Sequence, residues 1–573
     1  MVFPSTNLVR AMKPVAILFC CCVIGLLAMV VMKAGEADAP LAVPKPSIET
    51  QHIDESVSRV NEWLRQRWSN EELEPAEMAD DLTVYRRLSL ALHGTVPSLE
   101  EVVAFNADSS ANRIERWLAM MLEDDRFAEY FADRLERVLT GVEEGQFLIF
   151  RRDRLRSWMA EQLTNDRPWP EITTDLIAAE GLWTSKPSSN FITAAFVDEE
   201  GIDENELAGR TVRAFLGQRI DCAQCHDHPF DNWKQQDFEG LAAFYGQARV
   251  TPGGVIDRKT ADGKAIEYEI VDPGAEEGRI VPPRFPFHEE WDSHDESRRV
   301  RLAKWVVHPD NRRYERAIAN RIWGLMFGKA WYDPVDDLGH PEEADADRDL
   351  LDVLGNEFRN NGGRLKFLIR TIALSDAFRL KSDVPWADED RYARMTNEWA
   401  VFPLVRLRPE QMIGSMFQAG RVRTIDKNST LFIRFMRFIS ENDFLKEYGD
   451  ATDDELLQQS GTIPQALLRM NGRFTRELTE TGLFGAAGQL MRYSGDDEAL
   501  VQNCFLACLT RLPSPEERTY FVDLFQQIDP AIEETESDAP TVQAANDSKI
   551  SRSQQVRDLY WMLFNSPGFS WNH

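Results

Sequence analysis

The chain has 573 residues and a formal net charge of −30 at pH 7, because 95 Asp and Glu outnumber 65 Lys and Arg. This length allows two or three domains and a large hydrophobic core. Binding to nucleic acid depends on concentrated Lys and Arg, so the acidic balance argues against nucleic acid as a partner.

An apolar run near the N-terminus predicts a membrane anchor. Residues 14–32 (PVAILFCCCVIGLLAMVVM) contain no charged side chain and are long enough to span a bilayer core of about 30 Å. Arg10 and Lys13 precede the run, which favours a cytoplasmic N-terminus. A signal peptide cleaved at the A-x-A site of residues 37–39 is the alternative. Both interpretations place the rest of the chain outside the cytoplasm.

These features define the first three predicted segments. Residues 1–13 are predicted as a cytoplasmic tail and residues 14–33 as an uncleaved transmembrane signal-anchor. The Pro- and Ala-rich residues 34–55 are predicted as a tether. We therefore expect a protein that crosses the membrane once, with the bulk of the chain extracytoplasmic, in the periplasm.

The first exported region, residues 56–250, carries helical patterns. Apolar residues recur at spacings of three and four with charged residues between them, as in residues 113–139. Ser98 and Glu101 have the spacing of a capping box at the start of a helix. The region is therefore predicted to be a helical domain.

Residues 251–296 differ in character from the regions on either side. Turn signals (TPGG, ADG and DPG) surround the alternating residues 265–271, which predict a strand. We expect a small β-hairpin and then an extended, Pro-rich connector. Helical patterns return over residues 297–573. The predicted fold class is mainly α, with two helical domains joined by the hairpin and connector, after one N-terminal transmembrane helix.

The motif with the most chemical information is C-x-x-C-H, formed by Cys222, Cys225 and His226. In an extracytoplasmic protein this spacing is typical of the covalent attachment of c-type haem. The two thiols would form thioethers with the haem vinyl groups, and His226 would be the proximal ligand of the haem iron.

The sixth ligand of such an iron has to come from elsewhere in the fold. Met and His side chains serve this role, and His288, His340 and Met326 are candidates. An acidic loop over residues 333–343 could hold a calcium ion, although its spacing does not match an EF-hand and a solvated loop is the simpler interpretation.

Two other interpretations of the Cys motif stay open. His228 lies two residues beyond it, so two thiolates and two imidazoles could bind zinc, although four ligands within seven residues make a very compact site. Asp227 or Asp231 could orient an imidazole through a hydrogen bond. Alternatively, Cys222 and Cys225 form a disulfide, as neighbouring thiols do in oxidising compartments.

Several stretches make the chain resemble the planctomycete secreted cytochrome-like proteins. In that family a cytochrome-type domain (PSCyt) precedes a second domain (PSD), and both are otherwise domains of unknown function. The stretches that carry the resemblance are FLG at 215–217, CAQCHDHPFD at 222–231, RLAKW at 301–305 and NRIW at 320–323. The resemblance covers most of residues 80–570 and implies a cytochrome-type first domain.

The sequence therefore predicts a membrane-anchored, extracytoplasmic cytochrome-like protein. Haem c at Cys222, Cys225 and His226 would act in electron transfer or haem redox chemistry with an unknown redox partner. The alternative is a non-haem scaffold or binding protein, with zinc or a disulfide at the same motif and His228 as the additional zinc ligand. No nucleophile or phosphate-binding motif accompanies these residues, so catalysis is left open.

Overall fold

A computed structural model describes residues 50–141, 148–259, 267–271, 276–339, 349–427, 429, 462–482, 485–526 and 551–573. The predicted anchor at 14–33 and the tether up to residue 49 lie outside the described residues. Among those that are described, no helix is long and apolar enough to cross a membrane. The last six residues of the predicted tether belong to the first described helix instead, since that helix begins at Thr50.

Helices account for 59% of the structure and strands for 6%, which confirms that the fold is mainly α. In chain order the described helices are α1 (Thr50–Asn70), α2 (Asp81–His93), α3 (Leu99–Ala107), α4 (Arg113–Glu123), α5 (Asp125–Thr140), α6 (Arg152–Thr164), α7 (Trp169–Ile177), α8 (Asn190–Thr193), α9 (Glu204–Leu216), α10 (Gln235–Ala242), α11 (Arg298–Val306), α12 (Arg312–Phe327), α13 (Leu350–Asn360), α14 (Leu365–Ala373), α15 (Asp376–Arg379), α16 (Glu389–Asn397), α17 (Pro409–Ala419), α18 (Ile463–Asn471), α19 (Arg473–Thr479), α20 (Ala486–Tyr493), α21 (Asp497–Leu509), α22 (Pro515–Gln526), α23 (Arg552–Asn565) and α24 (Pro567–Ser570). Three short 3-10 helices lie at Pro187–Ser189, Asp221–Gln224 and Glu289–Trp291.

The described strands form four antiparallel pairs of two strands each. The pairs are β1 (Phe196–Val197) with β2 (Gly201–Ile202), β3 (Ala248–Thr251) with β4 (Gly254–Asp257), β5 (Tyr268–Ile270) with β6 (Arg279–Val281), and β7 (Val405–Arg406) with β8 (Trp571–Asn572). Strand β5 falls inside the predicted strand at 265–271. The region predicted to hold one hairpin therefore contains β5–β6 and most of the β3–β4 hairpin.

Local sequence signals set the helix boundaries. The Asp80 carboxylate accepts hydrogen bonds from two backbone N–H groups at the start of α2, and Gly94 ends that helix with φ of +69°. Gly adopts this left-handed conformation without the strain that a Cβ atom brings. At α3 the predicted capping box of Ser98 and Glu101 is present, with both reciprocal hydrogen bonds.

Two buried arginines of α2 hold the C-terminal segment. The Arg87 guanidinium donates to the carbonyl oxygens of Phe378 and Leu380, at 2.8 and 2.7 Å, and also to that of His573 at 2.9 Å. Arg86 donates to the Gly568 carbonyl at 3.1 Å. Burial lowers the pKa of both guanidinium groups, because the low-dielectric interior disfavours their charged form. These contacts tie the beginning of the first region to the end of the second.

The larger of two hydrophobic clusters among the described residues receives side chains from both predicted helical regions. The described residues of the range 46–573 form one compact unit. Helix α12 lies at its centre, because every residue from Arg313 to Phe327 is buried. It contacts α2 and α9 from the first region and α13 and α14 from the second. This helix is therefore the element that connects the two regions through packing.

His93, at the end of α2, is a buried packing residue. It is 5% exposed, and its Nε2 lies 3.3 Å from the Met121 carbonyl oxygen. Burial, together with the nearby positive charge of Arg126, lowers the pKa of His93 to about 4. The neutral imidazole is therefore the form that fits the folded protein.

We predict that His93 makes stability fall in acid. An unfolded His titrates near 6.5, so the unfolded state binds a proton first and stability is lost as pH falls from about 6.5 to 4. The loss reaches about 3 kcal/mol and is absent from His93→Gln. Urea unfolding of both proteins between about pH 7 and pH 4 measures the difference. The exposed His294, changed to Gln, is the matched control, and equal pH profiles for wild type and His93→Gln would contradict the prediction.

Candidate functional site

The loop that carries the Cys motif, residues 217–234, begins where α9 ends and is called the Cys loop. The Asp203 carboxylate caps the start of this helix by accepting from the backbone N–H groups of Asn205 and Glu206. The helix stops at Gly217, whose φ is +64°. A Cβ atom at this position would lie 2.9 Å from Cδ1 of Leu338, which is closer than side-chain carbon atoms pack. Gly217 is therefore required both by its backbone conformation and by the close approach of Leu338.

Helix α12 and the residues after it fix this end of α9. The Arg321 guanidinium is buried and donates to the Ala214 carbonyl at 2.8 Å. The backbone N–H of Leu338 donates to the Gly217 carbonyl at 2.8 Å. These bonds satisfy carbonyl groups that a helix C-terminus leaves without a partner. Arg321 therefore joins α12 to the end of α9.

The two cysteines lie at the edges of a single 3-10 turn. Cys222 is within the turn Asp221–Gln224 and Cys225 follows it directly. Both thiols are free and exposed, whereas Ala223 between them is fully buried. The turn is therefore attached to the core through Ala223 and presents two reduced thiols to the solvent.

The two histidines of the loop differ in which ring nitrogen has a lone pair available to ligate a metal. Nδ1 of His226 lies 2.8 Å from the Asp227 carbonyl oxygen, which can only accept, so Nδ1 carries the proton and the lone pair of Nε2 remains free. Nδ1 of His228 accepts from the backbone N–H of Phe230 at 3.3 Å, which places the proton of a neutral ring on Nε2. His226 can therefore ligate a metal as it stands, and His228 cannot without breaking this bond.

Asp227 fastens the loop to the next helix. Its carboxylate accepts from the backbone N–H of Gln235, the first residue of α10, at 3.1 Å. This hydrogen bond, assisted by Lys234, lowers the pKa of Asp227. The sequence left open that the carboxylate of Asp227 or Asp231 orients an imidazole, and at His226 the group in contact is the backbone carbonyl of Asp227. Asp231 accepts from the backbone N–H of Asn232 at 2.5 Å.

Two aromatic residues of the loop have environments that are unusual for their type. Phe230 is 94% exposed, the highest value among the large apolar side chains whose exposure the structure describes. Trp233 is 3% exposed, and its Nε1 is buried without a hydrogen-bond acceptor. An exposed Phe and an unsatisfied buried N–H both cost free energy in the absence of a ligand. Neither residue was predicted from the sequence, although HPFDNW places two aromatic residues next to the motif.

Two of the three candidate distal ligands, Met326 and His288, lie in the described ranges. Met326 is fully buried within α12. His288 is partly exposed, and its Nδ1 bonds Glu290 at 2.8 Å. His340 lies outside the described residues. Within the part that is described, the hydrogen-bond partner of His226 is the Asp227 carbonyl, and the partners of His288 are Glu290 and aromatic rings.

The other predicted ion sites are the zinc site at the Cys motif and the calcium site in the acidic loop. No group of three or more His, Cys, Asp or Glu side chains is arranged to hold a metal ion in the described ranges. In the acidic loop, Asp336 forms an ion pair with Arg219 at 2.8 Å. The end of that loop, from residue 340 to 343, lies outside the described residues.

We predict that Gly217→Ala destabilises the protein more than a matched glycine change. Gly141 ends α5 with a φ of +59°, and no atom lies within 4 Å of the position that an added Cβ would take, so Gly141→Ala costs only the conformational strain, about 1 kcal/mol. Gly217→Ala adds the overlap with Leu338 and Ala317, for a total of about 3 kcal/mol. Urea unfolding compares the two variants, and equal losses would contradict the account of this junction.

We also predict that alkylation separates two classes of thiol. In protein made without haem attachment, iodoacetamide reacts with Cys222 and Cys225 because both are exposed. Cys504 and Cys508 are buried in α21, and burial raises the pKa of both thiols, so they react roughly a hundredfold more slowly until urea unfolds the chain. Peptide mass spectrometry reads each cysteine, and slow labelling of Cys222 would contradict the exposed turn.

Comparison with protein families places two domains on the chain. Residues 59–250 match PSCyt2, described as a protein of unknown function (DUF1549), and residues 298–525 match PSD1, described as a protein of unknown function (DUF1553). No curated protein and no solved structure matches the chain. The Cys loop and α9 lie in the first matched range, and α12 lies in the second. The chain therefore has the architecture of a PSCyt2 domain followed by a PSD1 domain, both of unknown function.

Proposed function

We propose that the protein is an extracytoplasmic electron-transfer protein that carries one covalently attached haem at Cys222, Cys225 and His226. The observation that carries the proposal is the 2.8 Å contact between Nδ1 of His226 and the Asp227 carbonyl oxygen. This contact holds Nδ1, so Nε2 is left as an iron ligand. A hydrogen bond from the second ring nitrogen to a carbonyl is the usual way in which proteins orient a metal-binding imidazole.

The thiols suit covalent attachment. Each Cys thiol adds across one haem vinyl group, so a carbon–sulfur bond forms and the thiol hydrogen goes to the other vinyl carbon. Both thiols have to be reduced and reachable for this addition, and Cys222 and Cys225 are free and exposed. Ala223 lies between them and is buried, so the backbone that carries both sulfur atoms is held against the core.

The exposed Phe230 also suits a haem. Its ring offers apolar area that a porphyrin can cover, and removing such area from water is favourable. Zinc would cover much less of the Phe230 ring. A haem bound in this way supplies one-electron redox chemistry.

The zinc alternative has less support from the loop. It requires His228 as a fourth ligand, and the Nδ1 lone pair of His228 already accepts from Phe230. A disulfide between Cys222 and Cys225 is the other alternative, and it would leave Phe230 exposed. We further propose that residues 14–33 anchor the protein so that the Cys loop faces the periplasm, where haem is attached to exported chains.

The test is expression of the full chain in a host with cytochrome c maturation, followed by the pyridine haemochrome spectrum. The proposal predicts one haem per chain that survives acid-acetone extraction. Cys222→Ala or Cys225→Ala leaves one thioether at most and shifts the α-band to longer wavelength, and the double variant retains no covalent haem. His294→Ala, at an exposed His outside the loop, is the matched control and keeps the wild-type spectrum.

Three other results would contradict the proposal. A folded wild-type chain without covalent haem from a competent host rules out attachment. One zinc per chain by elemental analysis supports the zinc site instead. Loss of both loop thiols to labelling, restored by dithiothreitol, supports the disulfide.

A further inference from the structure

A continuous series of aromatic contacts leads from the Cys loop to the protein surface. The ring of Trp233, which lies in the loop, has its centroid 6.4 Å from that of Phe287. Phe287 in turn lies 6.4 Å from Trp291 and 4.6 Å from Trp305. Trp233 and Trp305 are buried, whereas Phe287 and Trp291 are partly exposed. The series therefore begins inside the core and ends at solvent.

The outer end of the series is a stack of three rings. Trp291 lies between His288, at a centroid distance of 4.1 Å and 14° between planes, and His308, at 4.3 Å and 8°. We call His288, Trp291 and His308 the stacked triad. Its backbone is fixed by the 3-10 helix Glu289–Trp291, in which the Trp291 N–H donates to the His288 carbonyl at 3.0 Å. The triad is therefore an ordered aromatic surface rather than a loose loop.

The surface around the stacked triad is acidic. Residues 288–296 contain five carboxylates and no Lys or Arg. Cations from neighbouring segments pair with three of these carboxylates: Arg284 with Glu289, Arg301 with Asp292 and Lys304 with Glu296. Side chains of Glu289, Glu290 and Asp310 are 66%, 69% and 79% exposed. The partners of these three are an exposed Arg284 and the triad histidines. This aromatic centre with a charged rim has the composition of a protein interface.

We propose that the stacked triad and its acidic rim form the docking surface for a basic one-electron redox protein, and that the aromatic series carries the electron between this surface and the Cys loop. The inference rests on the proposed haem site. The occupant is a basic protein because opposite charges attract it and orient it before contact. The chain's net charge of −30 adds a general attraction for such a partner.

The electron balance is simple. A reduced partner loses one electron at the stacked triad, and the site at His226 gains that electron. No bond to hydrogen forms or breaks, and the partner leaves in its oxidised form. Trp291, Phe287 and Trp233 provide contact along the route and are positioning residues, since none of them binds the iron.

The experiment measures reduction of the full-length holoprotein by reduced horse heart cytochrome c, a small basic redox protein, in a stopped-flow instrument. Glu289→Gln with Glu290→Gln removes two rim charges. Glu71→Gln with Glu72→Gln removes two exposed charges at the end of α1 and is the matched control. We expect the rim variant to react roughly three- to tenfold more slowly at low ionic strength, with the difference lost in high salt, and the control to follow wild type.

Trp291→Leu tests the route separately from the charge. This variant keeps the rim, so its salt dependence stays at the wild-type slope, but its electron-transfer rate at saturating partner falls. Reduction by dithionite, a small reductant that does not need the docking surface, stays unchanged in every variant. Near-UV circular dichroism checks the fold of each variant. If Trp291→Leu misfolds, the rim variant still tests the docking surface.

The outcomes separate the two proposals. Equal rates for the rim variant and the Glu71/Glu72 control overturn the docking surface while leaving the haem site intact. Reduction of wild type by dithionite, with no electron exchange in either direction when the reduced protein is mixed with oxidised cytochrome c or the oxidised protein with reduced cytochrome c, does the same. A holoprotein preparation without haem overturns both the proposed function and this inference.

Discussion

The arrangement of the Cys loop depends on the contact between α12 and the C-terminal end of α9. Buried Arg321 and the Leu338 backbone supply hydrogen bonds to carbonyl groups at this helix end, and Gly217 allows the close approach that these bonds require. A buried arginine is costly unless its donors are satisfied, so the bond from Arg321 makes the junction specific as well as tight. The chemistry of the PSCyt2 region is thus held in place by a helix of the PSD1 region.

This support explains how an exposed motif can be well ordered. The turn has only one fully buried residue, Ala223, yet its ends are fixed by α9 on one side and by Asp227 at the start of α10 on the other. Exposure suits both proposed roles, because the thiols have to be reached by haem and the redox centre by a partner. The same loop continues through Trp233 into the aromatic series, so attachment and electron exchange share one scaffold.

Local sequence patterns were sufficient to predict the mainly α fold, the capping box at Ser98 and the strand around residue 268, because each of these features depends on residues close in sequence. The Cys motif was found for the same reason. The packing of Trp233 against Phe287 and the stacking of Trp291 on His308 were not predictable, since they depend on contacts between segments that are distant in the chain. The His226 tautomer depends on the neighbouring Asp227 carbonyl, but the loop conformation that brings the two together has no sequence signal. Phe285 and Phe287 alternate in the Pro-rich connector, which is the one local signal of that aromatic face.

The most direct measurement is the mass of the peptide that contains Cys222 to His226. Protein purified from a host with cytochrome c maturation is digested, and this peptide is identified by tandem mass spectrometry. The account predicts that the peptide carries the mass of one haem, bound through both cysteines, and that its fragments retain the haem on Cys222 and Cys225. A peptide found only with free or disulfide-linked cysteines, from folded protein, would contradict it.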